Sequence, residues 1–235
     1  MSSHRFVFYD ADAVVGSTTV TLSGDEHHHL SRALRCSAGD TVFVTNGRGL
    51  MLECRVGDVS RHSTSAEVVS VVENDPPGRE LVLALGMIKK DRFERAFEQC
   101  VELGITRCVP FESCKVSVAT YTSKFLVRLH KIGIAATKQS FRSYLPQVVE
   151  PVTFERVVSA ARGMDRSVVG HWKGPLPRPG GNGSTLVVVG PEGGFTDAEL
   201  QSLRDAGAET AGVSPHRLRS ETAAVALVGA MWRGN

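Results

Sequence analysis

Residues 186–195, Leu-Val-Val-Val-Gly-Pro-Glu-Gly-Gly-Phe, restrict the fold more than any other stretch of the chain. Four consecutive apolar residues, three of them β-branched and none alternating with a polar one, describe a strand buried on both faces. The turn Gly190-Pro191-Glu192-Gly193-Gly194 follows, and its three glycines permit backbone angles and close approaches that a Cβ forbids. Thr196 then opens a helix, with Glu199 three residues on at the spacing of a capping box. A strand that runs through a glycine turn into a helix N-terminus builds a ligand site at the carboxyl end of a parallel strand.

The surrounding pattern agrees. From Leu81 onward strands alternate with helices, which predicts an α/β unit with a parallel sheet. Strands are expected at Leu81–Leu85, Thr106–Pro110, Ser167–Gly170 and Glu209–Val213. Lys89–Gly104 is apolar at 93, 96, 97, 100, 101 and 104, an amphipathic stripe that Gly104 ends as a C-cap. Ser123–Ser140 is the next helix, and Thr153 caps a shorter one to Ala161. Lys173–Ser184, rich in Gly, Pro and Ser, is expected to be a mobile loop. The last helix, from about Ser220 to Trp232, is apolar nearly all round, so it is expected to be buried or to form an interface.

Residues 1–73 read differently. Five short runs rich in Val, Phe and Thr (His4–Tyr9, Val20–Leu22, Thr41–Thr45, Leu50–Val59 and Ser65–Val72) predict a small β-barrel. Asn46-Gly47 marks a tight turn between two of them. One helix, begun by Ser23 or Asp25 and running to Arg35, interrupts the strands. Two prolines and a glycine make residues 74–79 a linker, and a second domain is expected over 80–235.

Charge is unevenly placed. The net charge is +2, yet residues 86–145 hold eleven Lys or Arg against five Asp or Glu, leaving the remainder at −4. A basic middle in a near-neutral chain points to a polyanion, although solvated helix faces carry such charge too. No apolar run approaches the roughly 20 residues of a membrane span, and Met1-Ser-Ser-His-Arg-Phe has no apolar signal core, so a cytoplasmic setting is expected. Five scattered cysteines contain no C-x-x-C pair and read as reduced, packed thiols. His27-His28-His29 invites a metal, but neighbours on a helix point about 100° apart and no carboxylate or thiol completes a set, so no metal is expected.

A second turn, Val213-Ser-Pro-His-Arg-Leu-Arg-Ser-Glu-Thr222, leads into the last helix, where free N–H groups suit an acceptor-rich ligand. Neither glycine-rich turn is followed by the Lys-Ser/Thr of a triphosphate loop, and no G-x-G-x-x-G follows the first strand of the α/β region. Gly-Pro-Glu-Gly-Gly-Phe followed at the C-terminus by Leu-Arg-Ser-Glu-Thr-Ala resembles the SPOUT class of methyltransferases. Within that class the chain is similar to the RsmE family, which methylates N3 of a uridine in small-subunit (16S) ribosomal RNA. Arg5-Phe6, His28-His29-Leu30, Leu34-Arg35, Gly39-Asp40, Lys89-Lys90, Glu102-Leu-Gly-Ile105, Gln139-Ser-Phe-Arg142 and Pro146 extend the resemblance over nearly the whole chain.

The resemblance implies a PUA-like barrel followed by a SPOUT domain whose C-terminal segment threads an earlier loop as a trefoil knot. It implies S-adenosyl-L-methionine as cofactor, 16S rRNA or the small ribosomal subunit as partner, and a homodimer formed through the knot domain. Carried over by position, His171, Gly190, Pro191, Glu192, Gly193, Gly194, Val213, Ser214, Leu218, Arg219, Ser220 and Thr222 hold the cofactor. Arg5, Arg32, Arg35, Lys89, Lys90, Arg92, Gln139 and Arg142 lie along RNA. Methylation at N3 needs the weakly acidic N3–H proton removed and the resulting charge stabilised, a role assigned to Arg219 with Arg142 as second candidate.

One departure stands out: Val213-Ser214 replaces the family's Leu-Gly, and Arg217 an isoleucine. Either the loop keeps its conformation by a local adjustment, or the cofactor is held less tightly. A SPOUT methyltransferase for another RNA, and an RNA-binding module with a degenerate cofactor site, are the alternative readings.

Overall fold

The computed structural model describes residues 6–114 and 123–232, so Arg5 lies outside the described residues. Contacts divide the chain into two compact units, Met1–Pro76 with Thr137–Leu145, and Pro77–Ala136 with Pro146–Asn235.

The first unit is a five-stranded sheet of β1 (Val7–Tyr9), β2 (Thr19–Ser23), β3 (Thr41–Thr45), β4 (Leu50–Val59) and β5 (Ser63–Glu73), in the order β1-β3-β4-β5-β2. Only β1 and β3 run parallel. Register shifts between β4 and β5 at Glu53/Cys54 and Val56/Val59 bend the long hairpin, as β-bulges do, around Phe8, Leu30, Val42, Val44 and Leu52. The edge strands β1 and β2 do not pair, so the expected barrel is a curled, open half-barrel. Helix α1 (Gly24–His28) passes into a π-helical turn, His29–Ala33, that the sequence did not signal. Ser23 precedes it without a side-chain cap, and neither it nor Asp25 closes the helix as expected. His27 is buried with Nδ1 2.8 Å from Thr64 Oγ1, while His28 and His29 are exposed.

Residues Thr137–Leu145, expected within the second domain, pack with the first unit. The Gly49 N–H donates to the Ser143 carbonyl (2.8 Å), the Leu145 N–H to Gly47 (2.9 Å) and the Tyr144 hydroxyl to Asn74 (2.9 Å). Phe141 sets its ring edge-on to Phe43 at 5.0 Å. Gln139 and Arg142 therefore belong to the half-barrel unit.

The second unit is a parallel sheet of β6 (Arg79–Gly86), β7 (Arg107–Glu112), β8 (Gln147–Val148), β9 (Val152–Thr153), β10 (Arg166–Gly170), β11 (Gly183–Val189) and β12 (Glu209–Ala211). Its order is β12-β10-β11-β6-β7-β8, with β9 also on β7. Helices α2 (Lys90–Glu102), α3 (Ser123–Gln139), α4 (Phe154–Arg162), α5 (Asp197–Asp205) and α6 (Ser220–Ala230) complete the unit, apart from the last turn of α3. Successive residues of β11 serve opposite faces. Val187 and Val189 join Phe93, Phe97, Phe125, Leu129, Leu227 and Val228 from α2, α3 and α6. Leu186 and Val188 join Phe154, Val157, Leu200 and Leu203 from α4 and α5. The uninterrupted apolar run of 186–189 is thus buried on both faces, as the sequence predicts.

The stretch before β11 has no regular structure, as expected, but it is tied down. The Gly180 N–H donates to the Met231 carbonyl (2.8 Å), and Arg166 donates to the carbonyls of Arg178 and Pro179 (2.9 and 3.2 Å). The end of α6 therefore lies against the loop between β10 and β11. Cys36, Cys54, Cys100 and Cys108 are buried free thiols, burial pushing Cys54 up to about 11; Cys114 is exposed.

Candidate functional site

Because β12, β10 and β11 are neighbours and run the same way, the loops after them emerge side by side. Together they enclose a cavity of about 440 Å³, within the usual range for a small-molecule or cofactor site. Gly170, His171 and Trp172 come from the first loop, Gly190–Phe195 from the second and Ala211–Ser220 from the third, with Val189, Leu200, Ala223 and Leu227 as an apolar floor.

The second loop is fixed at both ends. The Gly194 N–H donates to the Pro191 carbonyl (2.8 Å) with Gly194 at φ +68°, and a Cβ on Gly190 would lie 3.1 Å from the Phe195 ring. The predicted capping box is present: Thr196 Oγ1 accepts from the Glu199 N–H (3.1 Å), and Glu199 Oε2 accepts from the Thr196 N–H (2.8 Å). Glu199 Oε1 also accepts from the Cys114 N–H (3.1 Å). Burial alone would raise the Glu199 carboxyl, but these donors outweigh it and hold it below the usual carboxylate range.

The third loop is laced to the first. The His171 N–H donates to Ala211 (2.8 Å) and the Gly212 N–H to Pro175 (2.9 Å). A Cβ on Gly212 would lie 2.8 Å from the Gly174 carbonyl oxygen and 2.9 Å from that of His171, so only glycine fits. Ser214, part of the departure noted above, needs no unusual backbone angle. It is not among the residues with positive φ, and its Oγ accepts from the His216 N–H (3.0 Å), closing the turn. Arg217 is exposed, so no charge is buried where an apolar contact was expected.

Of the residues assigned to the cofactor, His171, Gly190–Gly194, Val213, Ser214, Leu218, Arg219 and Ser220 all line the cavity. Thr222 does not; it is exposed within the first turn of α6. Trp172, Phe195 and Gly212 were not singled out for the cavity and belong to it, as do His216 and Arg217 of the Val213–Thr222 loop. The rule that ligands sit outside the carboxyl ends of neighbouring parallel strands locates them, once the strand order is known.

Among the residues assigned to RNA, Lys89, Lys90, Arg32 and Arg35 are exposed, Arg35 at φ +55°. Lys90 stands 3.9 Å from Glu94. Arg92 is engaged elsewhere: its guanidinium lies 3.4 Å from Glu192 in the glycine turn and 3.8 Å from Glu221 at the start of α6. Arg142 is half-buried in the first unit, and burial lowers its pKa. Arg217 and Arg219 are exposed at the cavity with no acidic partner among the described residues.

Comparison with known proteins gives the class first. Residues 75–232 match the family model described as an RNA methyltransferase domain. Ribosomal RNA small subunit methyltransferase E of Bacillus subtilis is 27% identical, over 96% of this chain and 94% of that one. Its namesake in Mesomycoplasma hyopneumoniae is 31% identical over 71% and 76% of the two chains. The namesake from Neisseria gonorrhoeae, solved bound to S-adenosyl methionine, superposes with a TM-score of 0.84 at 26% identity, covering 97% of this chain and 98% of that one. The chain belongs to the ribosomal RNA small subunit methyltransferase E family, and its parallel-sheet unit has the SPOUT fold.

Proposed function

We propose that this protein methylates N3 of a uridine in small-subunit (16S) ribosomal RNA, using S-adenosyl-L-methionine. The observation that carries the reading is the convergence of three loops on one cavity at the carboxyl ends of β12, β10 and β11. Cavity volume and lining suit the cofactor, with an apolar floor and the uncapped N–H groups at the start of α6. Gly190–Gly194 and the 211–220 loop would hold it, and when bound it supplies a methyl group already activated on a sulfonium. Holding the acceptor base against it supplies most of the acceleration. Arg219 stabilises the negative charge that N3 and its flanking carbonyls carry once the N3 proton has left to solvent. Arg142 is the second candidate for that role.

The altered loop had favoured a degenerate site. With Ser214 at an ordinary angle and closing its own turn, that feature now supports a working loop. Exposed Lys89, Arg32, Arg35, Arg217 and Arg219 supply phosphate contacts, so binding of RNA should weaken steeply with salt. No helix among the described residues is long and apolar enough to cross a membrane, and an rRNA substrate places the work in the cytoplasm. A homodimer is supported by α6, which carries no charge after Glu221 and leaves Ala226, Gly229 and Ala230 partly exposed.

The test is incubation with S-adenosylmethionine and unmodified small ribosomal subunits, followed by nucleoside mass spectrometry. 3-Methyluridine is the expected product. Methylation of a different nucleoside, or none with confirmed cofactor binding, overturns the assignment.

A further inference from the structure

Trp172 is one of two tryptophans in the chain. It lies two residues past the end of β10, lines the cavity, and is 48% exposed. An indole of that size left half in water forfeits burial worth more than that of almost any other side chain, unless something flat covers it when the protein works. One face is already engaged: Lys173 Nζ stands over the ring, 5.0 Å from its centroid. The indole thus offers a half-exposed aromatic surface with a cation beside it, in a cavity that Arg217 and Arg219 also line.

We propose that Trp172 is the stacking platform for the target base of the RNA, with Lys173 adding positive charge beside it. The assignment rests on the methyltransferase reading above and adds a residue that selects and positions the RNA. A base undergoing chemistry must leave its stack, and an enzyme that extracts it replaces the lost stacking with an aromatic or apolar surface. Uracil is flat and becomes an anion once deprotonated at N3: the indole supplies the flat surface, and Lys173 beside the ring supplies the positive charge that the π face lacks. The adenine of the cofactor has the same ring chemistry. The glycine turn and the 211–220 loop, however, are the parts of the cavity assigned to the cofactor, whereas Trp172 comes from a different loop and keeps 48% of its surface open to solvent.

The experiment compares wild type, W172F and W172A, using tritiated S-adenosylmethionine and unmodified small subunits, with cofactor dissociation constants measured by calorimetry. Stacking predicts that W172A raises KM for the RNA by about tenfold, the order seen when base-stacking aromatics are truncated. W172F should recover most of that, and all three should bind the cofactor within about twofold, since nothing but the base is assigned to the ring. Tryptophan emission of wild type, but not of W172F, should be quenched on adding the RNA. A cofactor dissociation constant that rises with the loss of the ring would assign it to adenine and overturn the proposal. An unchanged KM with W172A would overturn it as well, while active wild-type enzyme left the methyltransferase reading standing. No RNA methylation by wild type would bring down both.

Discussion

Removing Arg92 should loosen the cofactor site without touching it. Its guanidinium joins Glu192 at 3.4 Å and Glu221 at 3.8 Å, so one side chain of α2 ties the glycine turn to the start of α6. The groups are about 30%, 32% and 14% exposed, neither free in water nor fully desolvated. At an effective dielectric of about 20, each contact represents roughly 4–5 kcal/mol of gross attraction. Desolvation and side-chain ordering offset most of it, leaving about 1–2 kcal/mol for the pair of contacts together. Arg92→Ala also leaves the Glu221 carboxylate, whose buried Oε2 has no hydrogen-bond partner among the described residues, without its cation. The melting temperature should fall by about 3–6 °C. Calorimetric titration should show S-adenosylmethionine binding weakened several-fold, because Glu192 lines the cavity. Arg92→Lys, which keeps the charge but loses the fork, should fall between. If instead cofactor binding and melting are unchanged while the log–log salt slope for RNA binding drops by about 0.7, Arg92 is a phosphate contact, and the tie between loops is refuted.

Three further outcomes follow from the same geometry. Arg219→Ala should lower kcat by about 100-fold, the loss typical of one charge-stabilising donor, with S-adenosylmethionine binding changed far less; near-normal turnover would remove Arg219 from the role. Gly212→Ala should weaken cofactor binding by about tenfold or more, since a Cβ forces the 211–220 loop away from the backbone of residues 171–174, and calorimetry showing wild-type affinity would contradict it. Glu199 has a carboxyl depressed below its ordinary 4.5, so its contribution is complete above that value and lost as pH falls through the lower, folded-state pKa. Glu199→Gln should therefore cost about 1 kcal/mol at neutral pH, and the melting-temperature gap to wild type should close as pH falls through the lowered Glu199 pKa.

Local pattern carried much of the fold. The apolar run 186–189 needed no tertiary information to be read as a doubly buried strand, because no alternation leaves a face for solvent. Thr196 and Glu199 announced their capping box for the same reason: both partners lie within one turn. What escaped the sequence is non-local. The return of Thr137–Leu145 to the half-barrel depends on hydrogen bonds to Gly47 and Gly49, nearly a hundred residues earlier, and no periodicity records such a pairing. The same fact divides the basic middle. Lys138 pairs with Glu26 in the first unit and Arg107 with Glu80 in the second, both acids outside residues 86–145, so the +6 of that segment is not +6 of available charge.

The candidate site shows where residue identity is a poor guide and backbone geometry a better one. Read as letters, Ser214 and Arg217 weaken the second cofactor loop, one by adding a Cβ and the other by adding a charge. Neither objection survives the geometry. The position that cannot accept a Cβ is Gly212, two residues earlier, where three carbonyl oxygens occupy the space a Cβ would take. Ser214 sits where any residue is allowed and returns a hydrogen bond to His216 that a glycine has no atom to make. Arg217 would be costly if buried, but it is exposed at the cavity, where a cation costs little. The loop has not lost its constraint; the constraint lies on Gly212, and the two altered positions stand where the backbone leaves the side chain free to vary.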